Sequence, residues 1–284
     1  MHTPYHNYTM PAPRKGFEAQ LANAQNYTRI LPTIPGAGWQ KALHTDRIHD
    51  TITSMHSYPA HLAEIRLQGS LASAWVACPP GVIPAPGRYV LAWALADENA
   101  PLATPLFAAE ASEAGFLAAP PLPAHWQPGA RLLLKGPLGH GFSLPIGVRR
   151  LALAALGETE ARLLPLLHQA LEGEAAVALF SDLPLHRLPA AVEVHPLDEL
   201  PEAFHWADFL ALDLPLPALP ALRQRLGLAN ELDHLPCPAQ ALILAPMPCG
   251  GMGACGACSL PGRGRHWKLA CQDGPVFELD ELLR

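Results

Sequence analysis

Between Arg47 and Gly136 the apolar positions fall into short runs: RIHDTITSM, HLAEIRLQG, SAWVA, GRYVLAW and RLLLKG. Each carries β-branched or aromatic residues and is bounded by turn residues, which predicts short strands. Closely spaced strands of this kind close into a small antiparallel barrel or sandwich. GPLGHGFSLP (136–145) ends the block with a glycine-rich turn.

At Arg149 the pattern changes. RRLALAAL is a continuous apolar run, suited to a strand buried on both faces in a parallel sheet. EARLLPLLHQALEG then repeats apolar residues at helical spacing, with Pro165 fitting a first turn. AAVALF, AVEVHPL and ADFLAL predict further buried strands, PALPALRQRLG a helix and AQALIL a last strand. Strands alternating with helices imply a parallel α/β domain. The chain thus divides into an N-terminal extension (1–44), a β-barrel (45–148), an α/β domain (149–235) and a C-terminal module (236–284). The extension mixes Tyr, Asn, Pro and Thr without a sustained period, and reads as either a free tail or a partner-docking arm.

Composition narrows the function classes. A chain of 284 residues, 50% hydrophobic, is long enough for two ordinary domains. No apolar run approaches the roughly 20 residues of a membrane span, and the first residues have no apolar signal core. A soluble cytoplasmic protein is therefore expected. The net charge of −6 argues against a nucleic-acid surface. The 32 prolines are spread along the chain, so they predict rigid loops and not a disordered linker.

The candidate chemistry lies in PMPCGGMGACGACSL and KLACQDGPVF. Cys249, Cys255, Cys258 and Cys271 follow the spacing C-x5-C-x2-C-x12-C. In a cytoplasmic chain such cysteines are ligands or catalysts more often than disulfides. A two-iron, two-sulfur (2Fe–2S) cluster takes four thiolates, and its plant-type spacing is C-x4-C-x2-C with a distant fourth Cys. Gly250, Gly251, Gly253 and Gly256 let the main chain approach the cluster and aim N–H groups at its sulfurs. A four-cysteine zinc site is the competing reading, although zinc ribbons usually present two C-x2-C knuckles and one is found here. Cys78 and Cys237 stand alone among apolar residues and read as small buried hydrophobes. The 14 histidines show no ligand spacing, and His266 reads as a solvated loop residue. Arg263, Arg265 and Lys268 offset the negative charge of a cluster, mark a docking rim or form an ordinary soluble surface.

CGGMGACGACSL followed by ACQDGPVFELDEL resembles the C-terminal module of the electron-transfer subunit of type B dihydroorotate dehydrogenase. PGRYVLAW and GPLGHGF resemble that family's barrel strand and the glycine turn after the barrel. The resemblance implies a ferredoxin-reductase-like fold: a flavin-binding barrel, a nicotinamide-binding α/β domain and a 2Fe–2S module. It also implies FAD, NAD and a partner oxidoreductase subunit in a hetero-oligomer, with electrons passing from NADH through FAD and the cluster.

Four departures qualify it. The first cysteine gap is one residue longer, which a glycine-rich loop absorbs, so Cys249 stays in the ligand set. The flavin-holding Arg-Pro-x-Ser stretch reads TPLFAAEAS, with Thr104 for the arginine and Phe107 for the serine. The phosphate loop reads LGETEARLLPL: Gly157 remains, while Glu158 and Glu160 oppose a diphosphate. Those two carboxylates also suit a helix's first turn, with Glu158 and Arg162 as an i,i+4 pair. The Cys-Gly-Pro segment near the nicotinamide is replaced by ALDLPLPALP. The sequence thus predicts an intact cluster site on a scaffold whose FAD and NAD sites have degenerated. That is a one-centre electron-transfer protein relaying single electrons to or from a partner oxidoreductase. The alternatives are a full subunit with FAD and 2Fe–2S that oxidises NADH, and a zinc-stabilised interaction protein without redox function. No catalytic acid, base or nucleophile is predicted.

Overall fold

The computed structural model describes residues 57–68, 71–95, 102–185, 188–228, 235–262 and 266–283. The expected N-terminal arm, the expected strand RIHDTITSM, and Arg263 and Arg265 lie outside them. Six strands come first: β1 (Ser57–Gln68), β2 (Leu71–Ala77), β3 (Tyr89–Ala94), β4 (Thr104–Ser112), β5 (Gly115–Ala118) and β6 (Arg131–Leu138). They pair antiparallel in the order β1-β2-β5-β4-β3-β6, and β1 pairs with β6 to close the barrel. β4 and β5 were not anticipated. TPLFAAEAS is rich in alanine and carries a proline, a poor strand former by propensity. Pairing decides it: Tyr89 faces Phe107 and Leu91 faces Pro105 across the ladder.

Alternation along the strands serves two cores. Val90 and Ala92 of β3, and Leu106 and Ala108 of β4, point into the barrel with Leu62, Val76, Phe116 and Leu134. Tyr89, Leu91, Phe107 and Ala109 point outward, and they too are buried, because they pack into the core shared with the rest of the chain. Successive strand residues face opposite sides, so a strand covered on both sides reads as one apolar run.

The second half contains β7 (Arg150–Ala155), α1 (Leu164–Glu172), β8 (Ala176–Phe180), β9 (Val192–His195), α2 (Leu200–Trp206), β10 (Phe209–Pro215), α3 (Leu219–Arg225) and β11 (Ala239–Leu244). After it come β12 (Ser259–Pro261), β13 (Trp267–Leu269), β14 (Val276–Glu278) and α4 (Leu279–Leu282). Pro165 sits in the first turn of α1. The large sheet has the order β14-β11-β10-β7-β8-β9, with β7 to β11 parallel and β14 antiparallel to β11. The C-terminal segment therefore supplies two of its six strands. β9 was expected to be buried, but it is the edge strand, with Glu193 and Val194 exposed. α2 was not anticipated, because its buried residues Leu200, Ala203 and Phe204 amount to a single turn of the helical pattern.

Two glycine-containing motifs lock the barrel to the C-terminal segment. The His140 N–H donates to Gly274 O at 2.6 Å, and the Val276 N–H to His140 O at 3.3 Å. Gly139 has φ +73°, and a Cβ there would stand 2.6 Å from both Gly274 O and Pro275 Cδ. Gly139→Ala is therefore expected to cost about 2–4 kcal/mol, combining left-handed strain with overpacking against backbone. A urea-unfolding midpoint within error of the unmodified protein would contradict this.

Candidate functional site

The C-x12-C spacing is folded back by the β12–β13 hairpin. Ser259 pairs with Leu269, and the Ala270 N–H donates to Cys258 O at 3.0 Å. Cys258 and Cys271 leave the hairpin's open end side by side, with their sulfurs 3.3 Å apart. Both are buried, 1% and 4% exposed. That separation is well beyond the roughly 2.05 Å of a disulfide, and both are free thiols.

The segment from Cys249 to Cys258 is a tight loop in which Gly250, Gly251, Gly253 and Gly256 all have φ between +63° and +73°. At Gly253 a Cβ would also stand 3.0 Å from Gln272 Cγ, so the loop is pressed against the segment carrying Cys271. The Gln272 amide donates to Gly251 O across the same seam. The loop turns its N–H groups inward. Those of Cys255 and Ala254, with the Cys255 thiol and the Met252 N–H, hold the Cys249 thiol down at about 6. Burial pushes Cys271 up to about 12, reinforced by the hydrogen bond and charge of Cys258, while Gly253 N–H pulls the other way. The four thiols thus form an outer pair, Cys249 and Cys255, on the surface loop, and an inner pair, Cys258 and Cys271, beneath it.

This donor set suits a group carrying positive charge. Two adjacent buried sulfurs ionise only if a cation compensates for lost solvation. Among the described residues, no group of three or more His, Cys, Asp or Glu side chains is gathered to hold a single metal ion.

Residues 245–283 match the family model of the iron-sulfur cluster binding domain of dihydroorotate dehydrogenase B. The C-terminal segment is thus similar to an iron–sulfur domain of that kind. The match takes in all four cysteines, the β12–β13 hairpin, β14 and α4. No curated protein matches the chain. Among solved structures, the NADH-dependent reduced ferredoxin-NADP oxidoreductase of flavin-based electron bifurcation aligns with a TM-score of 0.62 at 17% identity. That alignment covers 78% of this chain and 89% of that one. The ferredoxin reductase of carbazole 1,9a-dioxygenase in its FAD apo form aligns with a TM-score of 0.49 at 18% identity, over 66% and 68%. The first alignment shows a shared ferredoxin-reductase-like fold.

The remaining candidates separate clearly. Cys78 packs against the barrel core and Cys237 is buried in the shared core, and burial pushes each thiol up to about 11, as expected of inert apolar fillers. Lys268 is engaged by Glu281 at 2.5 Å and lies over the Phe277 ring. His266 is exposed.

The expected Glu158–Arg162 pair is not what forms. Glu158 is exposed, whereas Arg162 is 4% exposed and turns inward. Its Nε donates to Asp213 Oδ2 at 2.8 Å and its Nη1 to Pro120 O at 2.7 Å. Asp213 is fully buried on β10, and its Oδ1 has no hydrogen-bond partner among the described residues. Burial pushes the Asp213 carboxyl up against the pull of Arg162. The pair stands where the strand order reverses between β7 and β10, the crevice in which parallel α/β sheets seat their ligands. The sequence carried one signal for it: a lone carboxylate inside the apolar run FLALDLP must be partnered.

A cavity of about 340 Å³ adjoins Arg162, lined mainly by Pro105, Phe107, Pro120, Leu244 and Met247, with Thr104 at its edge. Two of the three nitrogens of the guanidinium on its wall, Nε and Nη1, are already bonded within the protein.

Proposed function

We propose that this chain is an electron-transfer protein or subunit in which Cys249, Cys255, Cys258 and Cys271 bind one 2Fe–2S cluster. The observation that carries this reading is the juxtaposition of the two buried thiols, Cys258 and Cys271, at 3.3 Å within the segment that matches the iron–sulfur domain. When bound, such a cluster supplies a one-electron centre. The chain's own contribution is positional. The hairpin sets the inner pair, the glycine loop sets the outer pair, and the loop's N–H groups favour thiolate at Cys249. Cys255 is exposed, so the outer pair is the side from which a partner oxidoreductase exchanges electrons. In this reading, residues 236–284 form the cluster module. Residues 45–148 and 149–235 are flavin-domain-like and nicotinamide-domain-like platforms, and the protein works in the cytoplasm within a hetero-oligomer.

The Arg162–Asp213 pair in the switch-point crevice, together with the apolar cavity beside it, supports a scaffold without resident FAD or NAD. No helix among the described residues is long and apolar enough to cross a membrane.

The test is an anaerobic purification with iron, inorganic sulfide, zinc and flavin assayed on one sample. About two irons and two sulfides per chain, without flavin, is the expected result. Stoichiometric FAD would restore the complete NADH-oxidising subunit. A colourless protein loaded with zinc would end the redox reading.

A further inference from the structure

We propose that Tyr89 is a positioning residue for the cysteine site, its phenol holding the Cys271 peptide and thereby raising the reduction potential of the cluster bound there. The inference rests on the iron–sulfur reading above and names a device that regulates the same site.

Tyr89 opens β3, on the barrel, and is fully buried. Its hydroxyl donates to Cys271 O at 3.2 Å, across 182 residues of sequence. The same oxygen faces the other arm of the site, since a Cβ on Gly251 would stand 3.1 Å from it. One hydroxyl therefore sits between the loop joining Cys249 to Cys255 and the peptide of Cys271. The ring cannot swing away. It packs on Phe107, with ring centroids 5.9 Å apart, and a Cβ on Gly139 would come within 3.0 Å of its Cε1.

Phenylalanine would fill the same space without a hydroxyl, and a buried phenol needs a partner. This one takes its partner from the main chain of an inner-pair cysteine. The O–H dipole then points its positive end toward the peptide beside the thiolate. Away from water such a dipole is weakly screened. Reduction adds one negative charge, so the dipole favours the reduced form more than the oxidised one. Hydrogen bonding around cluster sulfurs and ligands is one of the terms that set cluster potentials.

The experiment is a potentiometric titration of purified full-length protein, with the spectrum of the reduced state recorded by electron paramagnetic resonance. Tyr89→Phe is expected to retain its iron and to titrate at a more negative potential, by up to about tenfold in the one-electron equilibrium, or roughly 59 mV. Replacing Tyr89 with 3-fluorotyrosine, a stronger donor of nearly the same shape, is expected to shift the potential the opposite way. This second variant keeps the test decisive if Tyr89→Phe does not fold. A purely structural phenol would change stability while leaving both potentials at the unmodified value, and that result overturns the proposal. Absence of iron from the unmodified protein would overturn the iron–sulfur reading and this inference with it. Iron at an unchanged potential overturns this inference alone.

Discussion

Cys258→Ser is expected to remove most of the protein's visible absorbance and most of its iron. The thiol is 1% exposed and 3.3 Å from Cys271, so neither solvent nor a neighbouring side chain is placed to substitute for it. Serine matches its shape closely, but a hydroxyl stays protonated where a thiolate would bind iron. The remaining inner sulfur, pushed up to about 12 by burial, then has no paired ligand to share the charge. Cys78→Ser provides the comparison, because that thiol belongs to the barrel core and its replacement should leave colour and iron intact. Absorption spectra and iron analysis of the two variants decide the matter. An unchanged spectrum in Cys258→Ser would sink the ligand assignment.

The second large effect concerns stability. Arg162→Met is expected to cost about 3–5 kcal/mol at neutral pH, the usual result of leaving one partner of a buried ion pair behind. Asp213 is fully buried with one oxygen already lacking a partner, so losing the guanidinium leaves its charge uncompensated. The pH dependence has a definite sign. Burial raises the folded-state value of Asp213 above the unfolded value of about 3.9, and without Arg162 nothing opposes that rise. The folded variant then holds a proton that the unfolded chain releases, so its stability falls as pH rises through the folded value. The deficit relative to the unmodified protein should therefore be largest near neutrality and shrink on acidification. Urea unfolding at about pH 5 and about pH 8 measures it. Arg162→Met combined with Asp213→Leu should recover much of the loss, since an apolar pair removes both charges together. A double variant no more stable than the single one would show that the pair does more than neutralise itself.

The cysteine ligand candidates were legible because their chemistry is local. A thiol spacing and the glycines between it constrain a loop whatever surrounds it, and all four loop glycines do take left-handed conformations. The strands with strong alternation or continuous apolar runs were legible for a similar reason. β4 was not, because its alanines carry little propensity and its place depends on Tyr89 and Leu91 across the ladder. Arg162 was misassigned because an i,i+4 neighbour is visible in sequence, whereas Asp213, 51 residues away, is not.

The amino-acid sequence alone determined the class of the fold, the order of barrel, α/β sheet and cysteine segment, and the four candidate thiols. Periodicity, turn residues and ligand spacing act over a few residues and need no long-range contact. Only the tertiary structure decided how the thiols divide into an outer and an inner pair, which carbonyl Tyr89 holds, and that a buried ion pair sits at the switch point of the sheet. Each of those depends on chain segments brought together by burial of a shared core, and that burial has no signature at any single position of the sequence.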